Sequence, residues 1–202
     1  MKRKLSPVLI LGLVLVVAAL GIGGFFGVRM YLGNQKSQSV TTRLEQLLPE
    51  RTKGVPGTYS NTAMPVLEID GTDYVALLQV PDFGVTVPVS DAWDQKNLYA
   101  TPSRFSGSVY DGTLVIGGGN DLQTFSFCNK IDVGATVLIT DMTGAEFIYT
   151  VATVDRARHA QPQWLSQQEF DLTLFCQDAY SMEYIAVRCV SDANAIKIPD
   201  GN

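Results

Sequence analysis

The chain has 202 residues, of which 46% are hydrophobic and 17% are charged. This composition excludes a disordered chain, and only three cysteines in this length exclude a small disulfide-framework protein. The formal net charge of -5 argues against a nucleic-acid binder, because phosphate contacts need a basic surface. We expect one sizeable domain with extensions.

Residues 5–28 form an uncharged, mostly apolar run that follows Lys2, Arg3 and Lys4 and ends before Arg29. As a helix this run would be about 36 Å long, which is enough to cross a hydrocarbon core of about 30 Å. Because basic residues precede it, the N-terminus is expected inside. We predict a single-pass cell-membrane protein with a cytoplasmic tail at 1–4, an anchor at 5–28 and the remainder outside. A cleaved signal peptide is the alternative, and it also sends the remainder outside.

Residues 29–64 are predicted to hold a polar spacer, a short helix and a linker. The helix is indicated by apolar residues at helical spacing, namely Val40, Leu44, Leu47 and Leu48. Thr42 and Glu45 have the spacing of a capping box at its start. We expect this helix to pack on the domain rather than to pair with a second copy, because its seam is too short to specify a partner.

The region 65–191 alternates short apolar runs with turn residues, and a tail follows at 192–202. Strands are predicted at 66–69, 74–80, 114–116, 137–140, 147–154, 172–175 and 184–190. Asp70-Gly71 predicts a hairpin between the first two strands. Short helices are predicted at 90–93 and 121–130. Many strands with few helices predict a mainly β fold, a closed or nearly closed barrel.

The glycines at 117–119 follow a strand, which is the setting of some phosphate-binding loops. No GxGxxG or Gly-Lys-Ser/Thr pattern is present, so we predict a turn that needs positive φ. His159 is the single histidine, and no cysteine pair has zinc-ligand spacing. We therefore predict no metal and no cofactor.

Cys176 ends a predicted strand, where a thiol is either a nucleophile or a small buried hydrophobe. Cys189 lies in the next strand. In a hairpin turning at about 177–183, the two would be offset by roughly 16 Å along the strands. A disulfide needs Cα atoms within about 7 Å, so no Cys176–Cys189 bridge is expected.

Several motifs in one order resemble the sortases, the membrane-anchored cysteine transpeptidases of Gram-positive bacteria, and most of all their class B-type members. The resemblance covers residues 65–189. The matching segments are YVALLQVP at 74–81, VPV at 87–89 with Trp93, LYATPSRFSG at 98–107, residues 125–134, residues 144–151, DLTLF at 171–175 and VRC at 187–189.

The resemblance implies an eight-stranded sortase-like β-barrel that acts on sorting signals such as LPxTG or NPxTN. In the family a cysteine attacks the peptide bond, a histidine protonates the leaving amine, and an arginine stabilises the oxyanion. A cell-wall amine then resolves the thioacyl enzyme. The expected partner is a sorting-signal peptide or a surface or pilin protein.

The catalytic positions depart from the family pattern. The family's VIAGHN is VIGGGN at 115–120, so Gly119 takes the place of the histidine and has no proton to give. The arginine position falls on Tyr184, which carries no cation.

The cysteine position has two alignments. Without a gap, Cys176 takes the threonine position of DLTLFTC and Gln177 takes the cysteine position. With a one-residue gap, Cys176 is the nucleophile. Because a one-residue shift reverses the face of a strand residue, the ungapped alignment, which needs no insertion before Tyr184, turns Cys176 away from the site. His159 and Arg188 are the candidate substitutes for the missing groups.

Two functions remain open. The protein is either a sortase-like pseudoenzyme that binds a sorting signal, a pilin-like chain or a sortase, or an atypical active transpeptidase or hydrolase that uses Cys176. A structural envelope protein without a ligand in the groove is a third reading. We favour the pseudoenzyme because the scaffold motifs surround an emptied centre.

Overall fold

The computed structural model describes residues 7–94, 98, 101–119, 125–159, 161–178 and 181–191, without the side chains of 7–11, 14 and 25–36. Its helices are α1 (Pro7–Leu47) and α2 (Pro162–Leu165), and Pro81–Phe83 and Ser126–Asn129 are 3-10 turns. The strands are β1 (Thr52–Lys53), β2 (Leu67–Ile69), β3 (Thr72–Val80), β4 (Val85–Ser90), β5 (Ser103–Ser106), β6 (Leu114–Gly117), β7 (Thr136–Asp141), β8 (Ala145–Ala157), β9 (Leu172–Gln177) and β10 (Tyr184–Ser191).

Eight of the described strands close into a barrel, in the order β3-β4-β5-β6-β9-β10-β8-β7 and back to β3. The β4–β5 and β6–β9 pairs are parallel, and the other neighbours in the ring are antiparallel. β1 and β2 extend the sheet outside the ring, on β8 and β3. The predicted mainly β, closed eight-stranded barrel is therefore confirmed.

The hairpin predicted at Asp70-Gly71 is present between β2 and β3. Asp70 has φ of 51° and Gly71 has φ of 75°, the left-handed pair that a two-residue hairpin turn requires. The turn glycines Gly107, Gly112, Gly134 and Gly144 also have positive φ.

The barrel core follows from the alternation of apolar residues along each strand. In β8, Phe147, Tyr149 and Val151 are fully buried, and the residues between them are half-buried. In every strand of the barrel, alternate side chains point into the core, because successive side chains point to opposite faces. Burial of these apolar side chains is the main stabilising term, at roughly 1.5–3 kcal/mol for each large one.

Helix α1 runs without a break through the residues predicted to form a spacer and a separate short helix. Val40 and Leu44 pack against Ile69, Tyr74 and Leu77, so the predicted docking of this segment on the domain is confirmed.

Two details of the predicted helix are wrong. Leu47, the last residue of the helix, is 61% exposed and does not join Val40 and Leu44 in their buried cluster. The hydroxyl of Thr42 donates to the carbonyl of Gln38 one turn back, so Thr42 lies inside the helix and does not cap it.

Residues 5–28 were predicted to form a membrane anchor. Among the described residues no helix is long and apolar enough to cross a membrane, so the structure does not support that prediction.

The prediction of a helix at 90–93 is wrong, and three strands, β1, β4 and β5, were not predicted. Ser90 belongs to β4, and its hydroxyl lies 2.8 Å from that of Ser103 in β5. The side chain expected to cap a helix thus links two strands. β4 and β5 were missed because each is short and contains polar residues. The helix predicted at 121–130 appears as the 3-10 turn Ser126–Asn129, and its first part, 121–124, lies outside the described residues.

Candidate functional site

The three positions aligned with the family's catalytic residues lie together at one end of the barrel. Gln177, the last residue of β9, is paired with Tyr184, the first residue of β10. In the parallel β6–β9 pair, Gly117 lies opposite Phe175, and the amide of Gly118 donates to the Phe175 carbonyl at 3.0 Å. Gly119 and Gln177 each follow this pair by two residues, so both are at the same strand ends.

The two faces of β9 carry different side chains. Leu172, Leu174 and Cys176 face the barrel core, and Cys176 is 1% exposed. Phe175 belongs to a cluster on the outer face, and Gln177 is exposed on that face, where its amide donates to the Met182 carbonyl at 3.0 Å. The thiol and the amide of these consecutive residues therefore point in opposite directions.

Cys128, Cys176 and Cys189 are all free and buried in the same core. Burial raises the pKa of the Cys189 thiol, and it raises that of Cys128 as well, with Cys176 adding to the effect. Both groups are therefore protonated at neutral pH, which is the less reactive form of a thiol. Cys176 is paired with Ile185, four residues before Cys189, a separation of about 13 Å along the strand.

Aromatic side chains cover the outer face beside Gln177. The ring of Trp93 stacks on Phe175 at 5.6 Å between centroids and meets Phe105 edge-on at 5.0 Å. Tyr184 is half-buried against this cluster. Trp93 remains 36% exposed, so the cluster offers an apolar surface to solvent.

Gly117 and Gly118 are required by close packing and not by backbone conformation. Neither Gly117 nor Gly118 has positive φ, so the prediction of a left-handed turn is wrong at these two positions. A Cβ on Gly117 would lie 2.5 Å from the Trp93 ring, and one on Gly118 would lie 2.5 Å from Phe125. Close packing of two aromatic rings, one on each side of the barrel wall, excludes any side chain at these positions.

The two candidate substitutes lie in different surroundings from the core that buries Cys176. His159 is exposed, two residues beyond Ala157, which is paired with Tyr184. Arg188 is fully buried, and its Nε donates to Asp155 Oδ2 at 2.5 Å while Nη2 donates to the Trp164 carbonyl at 2.6 Å. Its guanidinium also lies 5.1 Å from the Trp164 ring centroid.

Sequence reasoning missed the segment that covers Arg188, residues 161–171. Leu165 and Trp164 in this segment pack on the outer face. The signal available in the sequence was the apolar pair Trp164-Leu165 within a polar loop, too short a pattern to indicate burial.

Gly119, Gln177 and Tyr184 carry no nucleophilic thiol, no imidazole and no cation. An amide and a phenol can donate and accept hydrogen bonds, whereas a glycine offers only its backbone. Within the described residues, no group of three His, Cys, Asp or Glu side chains could hold a metal ion.

Comparison with known proteins gives a fold-level result. No protein-family model matches the chain, and no curated protein matches it. Among solved structures it is similar to sortase C-3 of Streptococcus pneumoniae, with a TM-score of 0.54 and 17% identity over 81% of this chain and 84% of that one.

Two further structures give the same picture. A lid mutant of sortase A from Corynebacterium diphtheriae has a TM-score of 0.52 and 17% identity, over 80% of this chain and 97% of that one. The sortase D5 transpeptidase of Clostridium perfringens has a TM-score of 0.50 and 18% identity, over 59% and 79%. At such identity the likeness shows the fold: a closed barrel of the sortase type.

Proposed function

We propose that this protein is a sortase-like pseudoenzyme that binds a sorting-signal peptide, or the surface or pilin protein that carries one, and does not cleave it. One observation carries the proposal. Gln177 and Tyr184 are paired at the strand ends, with Gly119 beside them, where the motif alignment expects cysteine, arginine and histidine. The likeness to class B-type members is part of the proposal and is supported by the order of the motifs in 65–189.

Cleavage of a peptide bond by the family mechanism needs a thiolate, a proton donor and a group that stabilises the oxyanion. The amide of Gln177 is not a nucleophile, Gly119 has no acid, and the Tyr184 phenol offers a single hydrogen bond without charge. A bound peptide would therefore keep its scissile bond.

Binding requires less than cleavage. The aromatic cluster of Trp93, Phe105 and Phe175, in which Trp93 is the most exposed ring, supplies apolar area beside polar groups that can bond a peptide backbone. Apolar walls with a few polar groups are the usual composition of a ligand site.

We also propose that residues 5–28 anchor the protein in the cell membrane with the barrel outside. The support is the length of the uncharged run and the basic cluster before it. Protease treatment of intact cells tests this placement, and a barrel that resists digestion until the cells are lysed would contradict it.

The decisive experiment incubates the full chain with a panel of fluorogenic peptides containing LPxTG or NPxTN, with and without an amine acceptor. We expect binding by fluorescence anisotropy, no turnover, and no acyl-enzyme by intact-mass spectrometry. Turnover that disappears in Cys176→Ala would overturn the proposal and establish the atypical active enzyme. Failure to bind any peptide would favour a structural envelope protein.

A labelling experiment tests the orientation of β9 directly. The native thiols should resist a maleimide under native conditions, because all three are buried. The thiol introduced by Gln177→Cys should react about a hundredfold faster or more, since that position is exposed. Rapid native labelling at Cys176 would contradict the assigned faces, and Ser181→Cys, also exposed, is the positive control.

A further inference from the structure

Residues 161–171 form a strap between β8 and β9 that lies over the outer face of the barrel. Leu165 is 3% exposed and packs with Val115 of β6 and Phe175 of β9. The strap is otherwise largely exposed and contains only the short helix α2. It is therefore attached to the face by a few side chains rather than by a strand ladder.

Arg188 attaches the middle of the strap through polar contacts. At the end of the strap, the backbone N–H of Asp171 donates to the Cys189 carbonyl, and its carboxylate accepts from the Ser191 N–H.

Arg188 lies on the outer face of β10, opposite Thr173 of β9, and is fully buried. One guanidinium nitrogen binds the Trp164 carbonyl, and the plane lies over the rings of Trp164 and Phe170, at 5.1 and 5.4 Å. The Nε nitrogen is paired with Asp155 in the wall strand β8, so the cation joins the strap to the barrel.

The hydrogen bonding of Arg188 is incomplete, unlike that of the buried Asp141. Asp141, the buried acid of the core, accepts hydrogen bonds from Tyr110, Thr143 and Ala145. Arg188 Nη1 is buried and has no hydrogen-bond partner among the described residues. A buried donor without a partner destabilises the state that buries it, which lowers the stability of the closed strap relative to an open one.

Leu165 covers an apolar surface formed by Val115 and Phe175, here called the floor, which lies beside the aromatic cluster. A peptide side chain would otherwise pack on this floor. We propose that Arg188 is a positioning residue that holds the strap over this floor as a latch. The inference rests on the proposed function: the peptide binds only when the strap has moved off the floor. Opening uncovers Val115 and Phe175 and frees the guanidinium. A peptide with an acidic side chain near its apolar anchor would supply the partner that Nη1 lacks.

The test measures access to the floor without any peptide. The thiol introduced by Val115→Cys lies under Leu165 and is labelled with a maleimide, and the modified residue is identified by peptide mapping. Adding Arg188→Lys keeps the charge but removes the planar fork, and we expect labelling about tenfold faster or more through local opening. Phe170→Leu removes a ring from the strap side and should act in the same direction.

Arg43→Lys is the matched control, because Arg43 makes an exposed ion pair with Asp70 away from the strap. It should leave the labelling rate unchanged. Equal labelling in the parent, Arg188→Lys and Phe170→Leu overturns the latch. If Arg188→Lys alone fails to fold, as judged by circular dichroism, Phe170→Leu decides.

Peptide affinity separates this inference from the function beneath it. Faster labelling with tighter peptide binding in the Arg188→Lys and Phe170→Leu variants supports the latch as a gate. Faster labelling with unchanged or weaker binding overturns the gate and makes the strap a wall of the groove. If no variant binds any peptide, the proposed function fails, while labelling still decides whether Arg188 holds the strap.

Discussion

The two faces of strand β9 meet very different surroundings. The inner face, with Leu172, Leu174 and Cys176, is sealed in the barrel core. The outer face, with Phe175 and Gln177, runs from under the strap to an exposed end. Both faces are made by consecutive residues, so a single step of register separates a buried thiol from an exposed amide.

This comparison shows how strand geometry decides the chemistry available to a site. A cysteine that the sequence places at a strand end is a candidate nucleophile, but in the core its sulfur contributes packing. The outer face can tolerate chemical change at Gln177 because little is packed on it. The inner face cannot, because its residues touch one another on all sides.

The sharpest test of the comparison is a pair of truncations on β9. Leu174→Ala should lower the free energy of unfolding by about 2–5 kcal/mol, because it leaves a cavity in the core. Gln177→Ala should change it by no more than about 0.5 kcal/mol, since the side chain is exposed. Urea unfolding followed by fluorescence measures both, and equal losses would break the distinction between the faces.

A second prediction asks how tightly the outer face is packed next to the site. Gly117→Ala should cost about 1–3 kcal/mol, because the new methyl overlaps Trp93 and Phe175. In a Trp93→Ala background the same substitution should cost less, and the difference in a double-mutant cycle measures the contact. Additive losses would mean that the aromatic cluster is loosely held.

A third prediction concerns how the stability contributed by buried core residues depends on pH. Burial raises the pKa of Cys128, Cys189 and Tyr149, so these groups ionise more easily when the chain is unfolded. Their contribution is complete at neutral pH and falls as the pH rises above the unfolded values, near 9 for cysteine and 10 for tyrosine.

The expected slope is up to about 1.4 kcal/mol per pH unit for each group. Urea unfolding between pH 7 and about pH 10 measures it. Replacing Cys189 by alanine should remove part of the slope, and an unchanged slope would mean that this thiol is not sealed.

Much of the barrel could be predicted because its signals are local. Asp70-Gly71 predicts its hairpin because both residues adopt the left-handed conformations that the turn needs. Most of the later strands were predicted from runs of apolar residues. The strands β4 and β5 were missed because a short, partly polar strand gains its stability from neighbours. Gly117 was misread because a glycine required by packing looks the same in the sequence as one required by φ.

The candidate site divides in the same way. The motif order alone identified Gly119, Gln177 and Tyr184 as corresponding positions, and the strand register brings them to one end of the barrel. No pattern indicated that Arg188 would be buried under Trp164 and Phe170. That burial depends on where the strap crosses the face, which is a contact between residues about two dozen positions apart.

The amino-acid sequence by itself determined the β-rich barrel, its first hairpin and the uncharged, mild chemistry of the three aligned positions, because composition and local turns require nothing beyond the neighbouring residues. The tertiary structure alone decided which face Cys176 occupies, what fills the space above Gly117 and how the strap is held. These depend on register and on packing between distant strands, where one residue of shift exchanges core for solvent.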